Sequence, residues 1–263
     1  MDRPRLIALD LDGTLLRSDG SLSERTRRAL KAVASTGVER VVVTARPPRY
    51  VAPIAAELDL GAVALCANGA IEYDLGTGQW RASHPLPEST ARRTVAALVH
   101  VARVGFAVET GDRVVYEPGF VPGDSRDVRL PVADREEMFA VGAPIVKLLA
   151  RTPDGSADEL LAAARAALSD EVECTHSGGR GLLEVSAPGV SKVAGLARLC
   201  AERGIASDEV WAFGDMPNDL AMLRWAGAGF AVANAHPDVL AAVSRHTAAN
   251  DSDGVAAVLE TLV

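Results

Sequence analysis

The chain repeats one pattern: a short, wholly apolar run that stops at a small polar or acidic residue. Leu6-Ile7-Ala8-Leu9 runs into Asp10-Leu11-Asp12-Gly13-Thr14, Val41-Val42-Val43 into Thr44, and the run from Ala62 to Cys66 into Asn68-Gly69. Runs this short without polar alternation read as strands buried on both faces. Helical segments separate them. One spans about Ser23 to Ser35, with Ser21 and Glu24 spelling a capping box and Gly37 as the stop. The next opens at Pro47-Pro48 and reaches about Leu58. This β-α-β-α-β order predicts a parallel sheet covered by helices. The pattern returns late in the chain. A helix from Ser191 to Arg203 closes at Gly204, a strand from Val210 to Phe213 ends at Gly214-Asp215, and a helix runs from Asn218 to Trp225. A strand over Gly229 to Val232 and helices near Pro237–Val243 and Gly254–Leu262 complete it.

Between about Ser83 and Pro188 the strands are shorter and more alternating. A helix is expected from Glu88 to Arg103. Phe106–Glu109 and Arg113–Glu117 flank Gly111-Asp112, a hairpin signal. Residues 117–127 read as loop. Ile145–Ala150, an Ala-rich helix over Ala157–Leu168, Val172–Thr175 and Leu182–Ser186 follow. Helices beside hairpin-joined strands describe an α+β module inserted into an α/β frame, with one domain over 1–82 and 188–263 and the other over 83–187.

Composition narrows the partners. With 27 Lys+Arg against 35 Asp+Glu, the net charge of -8 is poorly suited to binding nucleic acid by counterion release. The 3 cysteines, Cys66, Cys174 and Cys200, form no CxxC, so neither a zinc site nor a disulfide framework is expected. Cys66 and Cys200 lie in apolar runs and read as core thiols. No segment reaches the roughly 18 uncharged apolar residues of a membrane span, and the run before Asp10 is too short for a signal peptide. The expectation is a cytoplasmic protein without a membrane partner, a monomer or weak homodimer.

Reactive groups in open α/β sheets gather beyond the carboxyl ends of the strands. The residues waiting there are Asp10, Asp12, Thr44, Asn68, Asp215, Asn218 and Asp219, with Lys192 at the start of the helix after the inserted module. Singly, Asp215 reads as a turn residue, Asn218-Asp219 as a helix cap, Lys192 as a solvated lysine and Thr44 as a strand residue. Together they form a set able to hold a hard divalent cation and a phosphate.

These residues stand in a known order. Asp10-Leu11-Asp12-Gly13-Thr14 resembles the DxDGT motif of the haloacid dehalogenase superfamily. Thr44 matches its second motif, Lys192 in Gly189-Val190-Ser191-Lys192 its third, and Gly214-Asp215-Met216-Pro217-Asn218-Asp219 its fourth. Asn68-Gly69-Ala70 is typical of its Cof-type subgroup. The resemblance covers nearly the whole chain. It implies an α/β fold, a Rossmann-like core with a parallel sheet and an inserted α+β cap of the C2B type, because the insertion falls between the second and third motifs.

The resemblance also implies a phosphatase that uses Mg²⁺ and a small phosphorylated metabolite, with sugar phosphates common in the group. Asp10 would be the nucleophile that forms an aspartyl-phosphate, and Asp12 the general acid and then base. Asp10, Asp215 and the backbone carbonyl of Asp12 would hold the metal. Thr44, Lys192 and Asn218 would bind phosphate, and Asp219 would support the metal or Lys192. Candidates for contact with the rest of the substrate are Arg46, Lys147, Arg180 and Glu184. A phosphotransferase or phosphomutase on the same fold, or a sensor without catalysis, are the rival readings. At Ala45 the family's usual spelling is Gly.

Overall fold

In the computed structural model, which describes residues 3–58, 61–121, 129–168, 170–178 and 181–263, the apolar runs become strands close to where the sequence puts them. The chain begins with β1 (Leu6–Leu9), α1 (Glu24–Ala34), β2 (Glu39–Val43), α2 (Pro48–Leu58), β3 (Val63–Cys66), β4 (Ile71–Asp74) and β5 (Trp80–Ala82). There follow α3 (Glu88–Leu98), β6 (Gly105–Glu109), β7 (Val114–Tyr116), β8 (Arg129–Pro131), β9 (Lys147–Arg151), α4 (Ala157–Ala167), β10 (Glu173–Thr175) and β11 (Leu182–Ser186). The chain ends with α5 (Lys192–Glu202), β12 (Val210–Gly214), α6 (Leu220–Trp225), β13 (Ala228–Val232), α7 (Pro237–Ala242), β14 (Arg245–Thr247) and α8 (Gly254–Leu259).

Contacts divide the chain into two units. One holds residues 1–46, 50–81 and 191–263, and the other residues 47–49 and 82–190. Among the described residues, the first unit carries an eight-stranded sheet of order β14-β13-β12-β1-β2-β3-β4-β5. Its six strands from β14 to β3 pair in parallel, and β4 turns back antiparallel on β3. Register sets Leu9 of β1 between Phe213 of β12 and Val42 of β2, so the residues that follow these strands emerge at one edge. Leu6, Ile7, Ala8 and Leu9 are fully buried, as are Val41, Val42 and Val43. Phe213 of β12 stacks on its register partner Phe230 of β13 at 4.9 Å between ring centroids.

Among the described residues, the second unit carries a six-stranded sheet of order β10-β11-β9-β6-β7-β8, antiparallel except between β7 and β8. Strand alternation puts Phe106, Val108, Leu148, Ala150, Leu183 and Val185 on one face, all at 0% exposure. That apolar face is what the amphipathic α3 and α4 need to cover. Ser156 and Glu159 close a full capping box on α4.

Several boundaries differ from the sequence expectation, each for a local reason. Ser23, not Ser21, caps α1, its hydroxyl accepting the Thr26 N–H, while Ser21 is bonded to Asp19. The helix expected to reach Arg103 ends at Leu98, its last buried residue. Val99 and Val101 face solvent, so no packing offsets their poor helix propensity. Short strands β4, β5, β8 and β14 escape a hydrophobic-run search because they are half-exposed and take their register from neighbours. No helix among the described residues is long and apolar enough to cross a membrane. Cys66 and Cys200 are buried, and burial pushes the Cys200 thiol up to about 11.

Candidate active site

Asp10 is the first residue past β1 and is buried at 4% exposure. The chain then forms a tight loop over Leu11–Leu15, with Asp12 extended and Gly13 at φ +74. Gly13 is required twice over: only glycine adopts that φ cheaply, and a Cβ there would lie 2.4 Å from Asp215 Oδ2. The loop thus presses its backbone against the carboxylate that ends β12. Thr14 donates its hydroxyl to Asp215 Oδ1 at 2.9 Å.

Lys192 is the hub. It opens α5, where Ser191 caps by accepting the Ala194 N–H. A cation at a helix N-terminus opposes the helix dipole, and this one is also buried, at 2% exposure. Two carboxylates hold it: Nζ donates to Asp10 Oδ1 and to Asp219 Oδ1, both at 2.6 Å. Burial alone would lower its pKa, but Asp10 and Asp219 outweigh burial and raise it, so the ammonium stays charged. Asp219 is fully buried, and its other oxygen accepts the backbone N–H groups of Asp215 and Met216.

Asp10, Asp215 and Asp219 each offer an oxygen within 4.8 Å of the others. Three buried carboxylates therefore face one ammonium. The excess negative charge shows in the proton affinities. Burial pushes Asp10 well above the ordinary carboxylate range, with Lys192 pulling down and Asp219 and Asp215 pushing up. Burial and then Asp219 push Asp215 up to about 6. Hard oxygen donors short of positive charge fit a hard divalent cation.

The other expected site residues fall around this cluster. Thr44 is fully buried at the end of β2, its Oγ1 accepting the Arg46 N–H at 3.1 Å. Arg46 grips the Asp12 carboxylate with two bonds, Nε to Oδ2 at 2.7 Å and Nη2 to Oδ1 at 2.5 Å. The Asp12 side chain therefore faces Arg46 and is not among the clustered carboxylates. Asn218 donates to Asn68 Oδ1 at 3.1 Å, and its own Oδ1 is buried without a hydrogen-bond partner among the described residues.

Of the remaining candidates, Lys147 and Glu184 lie in the second unit, at 3% and 4% exposure. They form an ion pair with each other, Nζ to Oε2, and the Ser177 hydroxyl donates to Glu184 Oε1 at 2.6 Å. Arg180 lies outside the described residues.

Sequence reading passed over two features. Ala67, Asn68 and Gly69 are three consecutive residues with positive φ, at 52, 57 and 87°. Such a strained turn at a strand end is a device of functional sites. Gly195, one turn into α5, is the second: a Cβ there would lie 2.9 Å from Gly69 Cα. Two glycines let α5, and with it Lys192, approach the turn. No local signal marks Gly195, because its role is a contact with a distant turn.

The sequence profile of the haloacid dehalogenase-like hydrolases matches residues 7–259. The chain is 28% identical to 5-amino-6-(5-phospho-D-ribitylamino)uracil phosphatase YitU of Bacillus subtilis, over 98% of this chain and 97% of that protein. It is 29% identical to pyridoxal phosphate phosphatase YbhA of Escherichia coli, over 96% of each. A haloacid dehalogenase-like hydrolase from B. subtilis has the same fold, with TM-score 0.84 and 25% identity over 98% of this chain and 100% of that one. Motif order, buried carboxylate cluster, fold and relatives agree: the chain belongs to the haloacid dehalogenase-like hydrolases, as a phosphatase of their Cof-type group.

Proposed function

We propose that this enzyme is a Mg²⁺-dependent phosphatase of small phosphomonoesters and works through an aspartyl-phosphate on Asp10. The observation that carries the reading is the buried cluster of Asp10, Asp215 and Asp219 around Lys192, which holds more negative than positive charge. Asp10 and Asp215, with the Asp12 carbonyl that the family resemblance adds, would hold the cation. A bound Mg²⁺ would neutralise charge so that an anionic nucleophile can meet a phosphate dianion. Lys192 adds a fixed positive charge beside Asp10, and the Thr44 hydroxyl, which accepts from Arg46, keeps its own proton to give to a phosphoryl oxygen.

In the first half-reaction an Asp10 oxygen bonds to phosphorus as the bond to the leaving oxygen breaks, and Asp12 gives that oxygen a proton. In the second, Asp12 takes a proton from water, whose oxygen bonds to phosphorus and frees the Asp10 carboxylate and inorganic phosphate. Arg46, which holds both Asp12 oxygens, is placed to orient that side chain for both halves.

The second unit, with the buried Lys147–Glu184 pair, is proposed to select the leaving group. The named substrates of the relatives, a ribitylamino-uracil phosphate and pyridoxal phosphate, set the panel. Full-length enzyme is assayed on these, on sugar phosphates and on p-nitrophenyl phosphate, with Mg²⁺ and after exhaustive chelation. Phosphate release that needs Mg²⁺ and disappears in Asp10→Asn is expected. Full activity in chelator, or wild-type turnover by Asp10→Asn, would refute the metal and the nucleophile respectively.

A further inference from the structure

We infer that Asn234 is a positioning residue for the loop that carries Asp12, tying that loop and Asp215 to one brace. Asn234 is exposed and lies just beyond β13, where an asparagine is ordinarily a turn residue. Here both ends of its amide are engaged in the first unit. Nδ2 donates to the Gly13 carbonyl at 2.7 Å, and Oδ1 accepts the Asn250 N–H at 2.9 Å. Asn250 is buried at 5% exposure, and its Nδ2 donates to the Leu16 carbonyl at 2.9 Å. The two asparagines therefore hold the loop at its crest, Gly13, and at its exit, Leu16. Two residues after Asn234, the His236 N–H donates to the Asp215 carbonyl at 2.8 Å. A single segment thus fixes the chain after β1 relative to the chain after β12.

The loop needs such a brace. Asp12 and Gly13 depart from helical geometry, and the internal bonds include those from Leu15 N–H to Asp10 (3.3 Å) and from Leu16 N–H to Leu11 (2.8 Å). A general acid works only if held to a fraction of an ångström. Asparagine suits the post because it presents one donor and one acceptor on a rigid plane. Aspartate keeps the shape but replaces the donor with a carboxylate that repels the Gly13 carbonyl.

The turnover part of the inference rests on the phosphatase reading, so two independent readouts are used on the full-length protein. Hydrogen exchange by mass spectrometry follows peptides spanning residues 10–17, and steady-state kinetics follow Mg²⁺-dependent hydrolysis of p-nitrophenyl phosphate. In Asn234→Ala, exchange over this loop is expected to rise about fivefold, the effect of losing one hydrogen bond. Its kcat should fall about 10- to 100-fold with KM within about threefold, as for lost supports of a reacting group. Asn234→Asp should match the alanine variant in both. Asp251→Ala is the control: it breaks the bonds from Ser18 N–H (2.9 Å) and Oγ (2.7 Å) just beyond the loop and should leave kcat unchanged. Unchanged exchange in Asn234→Ala overturns the brace whatever the turnover. Wild-type kcat in Asn234→Asp, or an equal kcat loss in Asp251→Ala, overturns the positioning role. An inactive wild-type enzyme would refute the phosphatase reading instead, and exchange would still judge the brace.

Discussion

Burial, and then Asp219, push Asp215 up to about 6, against the pull of Thr14 and Lys192. The folded state therefore binds this proton more tightly than the unfolded chain does. The stabilisation is complete below the ordinary carboxylate value and is lost as pH rises through about 6. Metal-free protein should accordingly melt at a lower temperature near pH 7 than near pH 5. Asp215→Asn should flatten that dependence and raise the melting temperature in chelator near neutral pH. Added Mg²⁺ should stabilise the wild type and not the variant. Thermal melts across pH, with chelator and with Mg²⁺, test all three, and an identical pH dependence in the two proteins would clear Asp215 of this role. At this scale the sequence was legible where chemistry sits at a strand end. Asp10, Asp215 and Asp219 follow or flank strand ends and lie together with Lys192. The sequence could not show that Asp12 faces Arg46 or that Asn218 turns to Asn68, because side-chain pairing depends on which loops become neighbours.

Helix α5 shows why the cluster can form. Ser191 caps it, Lys192 starts it, and Gly195 meets Gly69 on the turn after β3. Alanine at 195 would gain up to about 1 kcal/mol of helix propensity. It would also set a Cβ 2.9 Å from Gly69 Cα, backbone that cannot swing aside. Overpacking of this kind costs about 1–3 kcal/mol, so the clash wins. Gly195→Ala should lower the unfolding midpoint and cut turnover by shifting Lys192. Gly69→Ala should be worse, since it adds strain at φ +87 and meets the Ser191 carbonyl at 2.6 Å. Denaturant titration and kinetics check both, and a stabilised Gly195→Ala with full activity would contradict the close approach. The sequence announces a helix at 191–203 from its pattern of apolar residues, but nothing local distinguishes Gly195 from a helix-weakening accident.

Across the whole molecule, the two units carry sheets of different character. The parallel sheet of the first unit gathers the charged cluster, whereas the second unit carries its own buried ion pair, Lys147 with Glu184. Removing one partner strands a buried charge and costs about 3–5 kcal/mol, while replacing both with apolar side chains is often neutral. Lys147→Met should therefore destabilise strongly, and Lys147→Met with Glu184→Leu should recover most of the loss. If the second unit selects the leaving group, the double variant should reorder the metabolite panel and leave p-nitrophenyl phosphate hydrolysis within about threefold. Melting midpoints and a kcat/KM comparison across the panel read out both expectations. Parallel losses on every substrate would assign the pair to stability alone.

The sequence by itself determined the alternation of apolar runs and helices, the insertion between them, and the polar residues at the strand ends. Those signals are local: a four-residue apolar run must bury both faces, and the residue after it must leave the sheet at its edge. Tertiary structure alone decided which charges neutralise one another. Asp10 is separated from Lys192 and Asp215 by most of the chain, and the cluster follows from the order β12-β1-β2 and from two glycines that let α5 come close. It also decided that Asn234 reaches Gly13, 221 residues away in sequence. A hydrogen bond of that span leaves no periodicity or composition to read, because it exists only once the parallel sheet has brought the ends of β1 and β13 to the same edge.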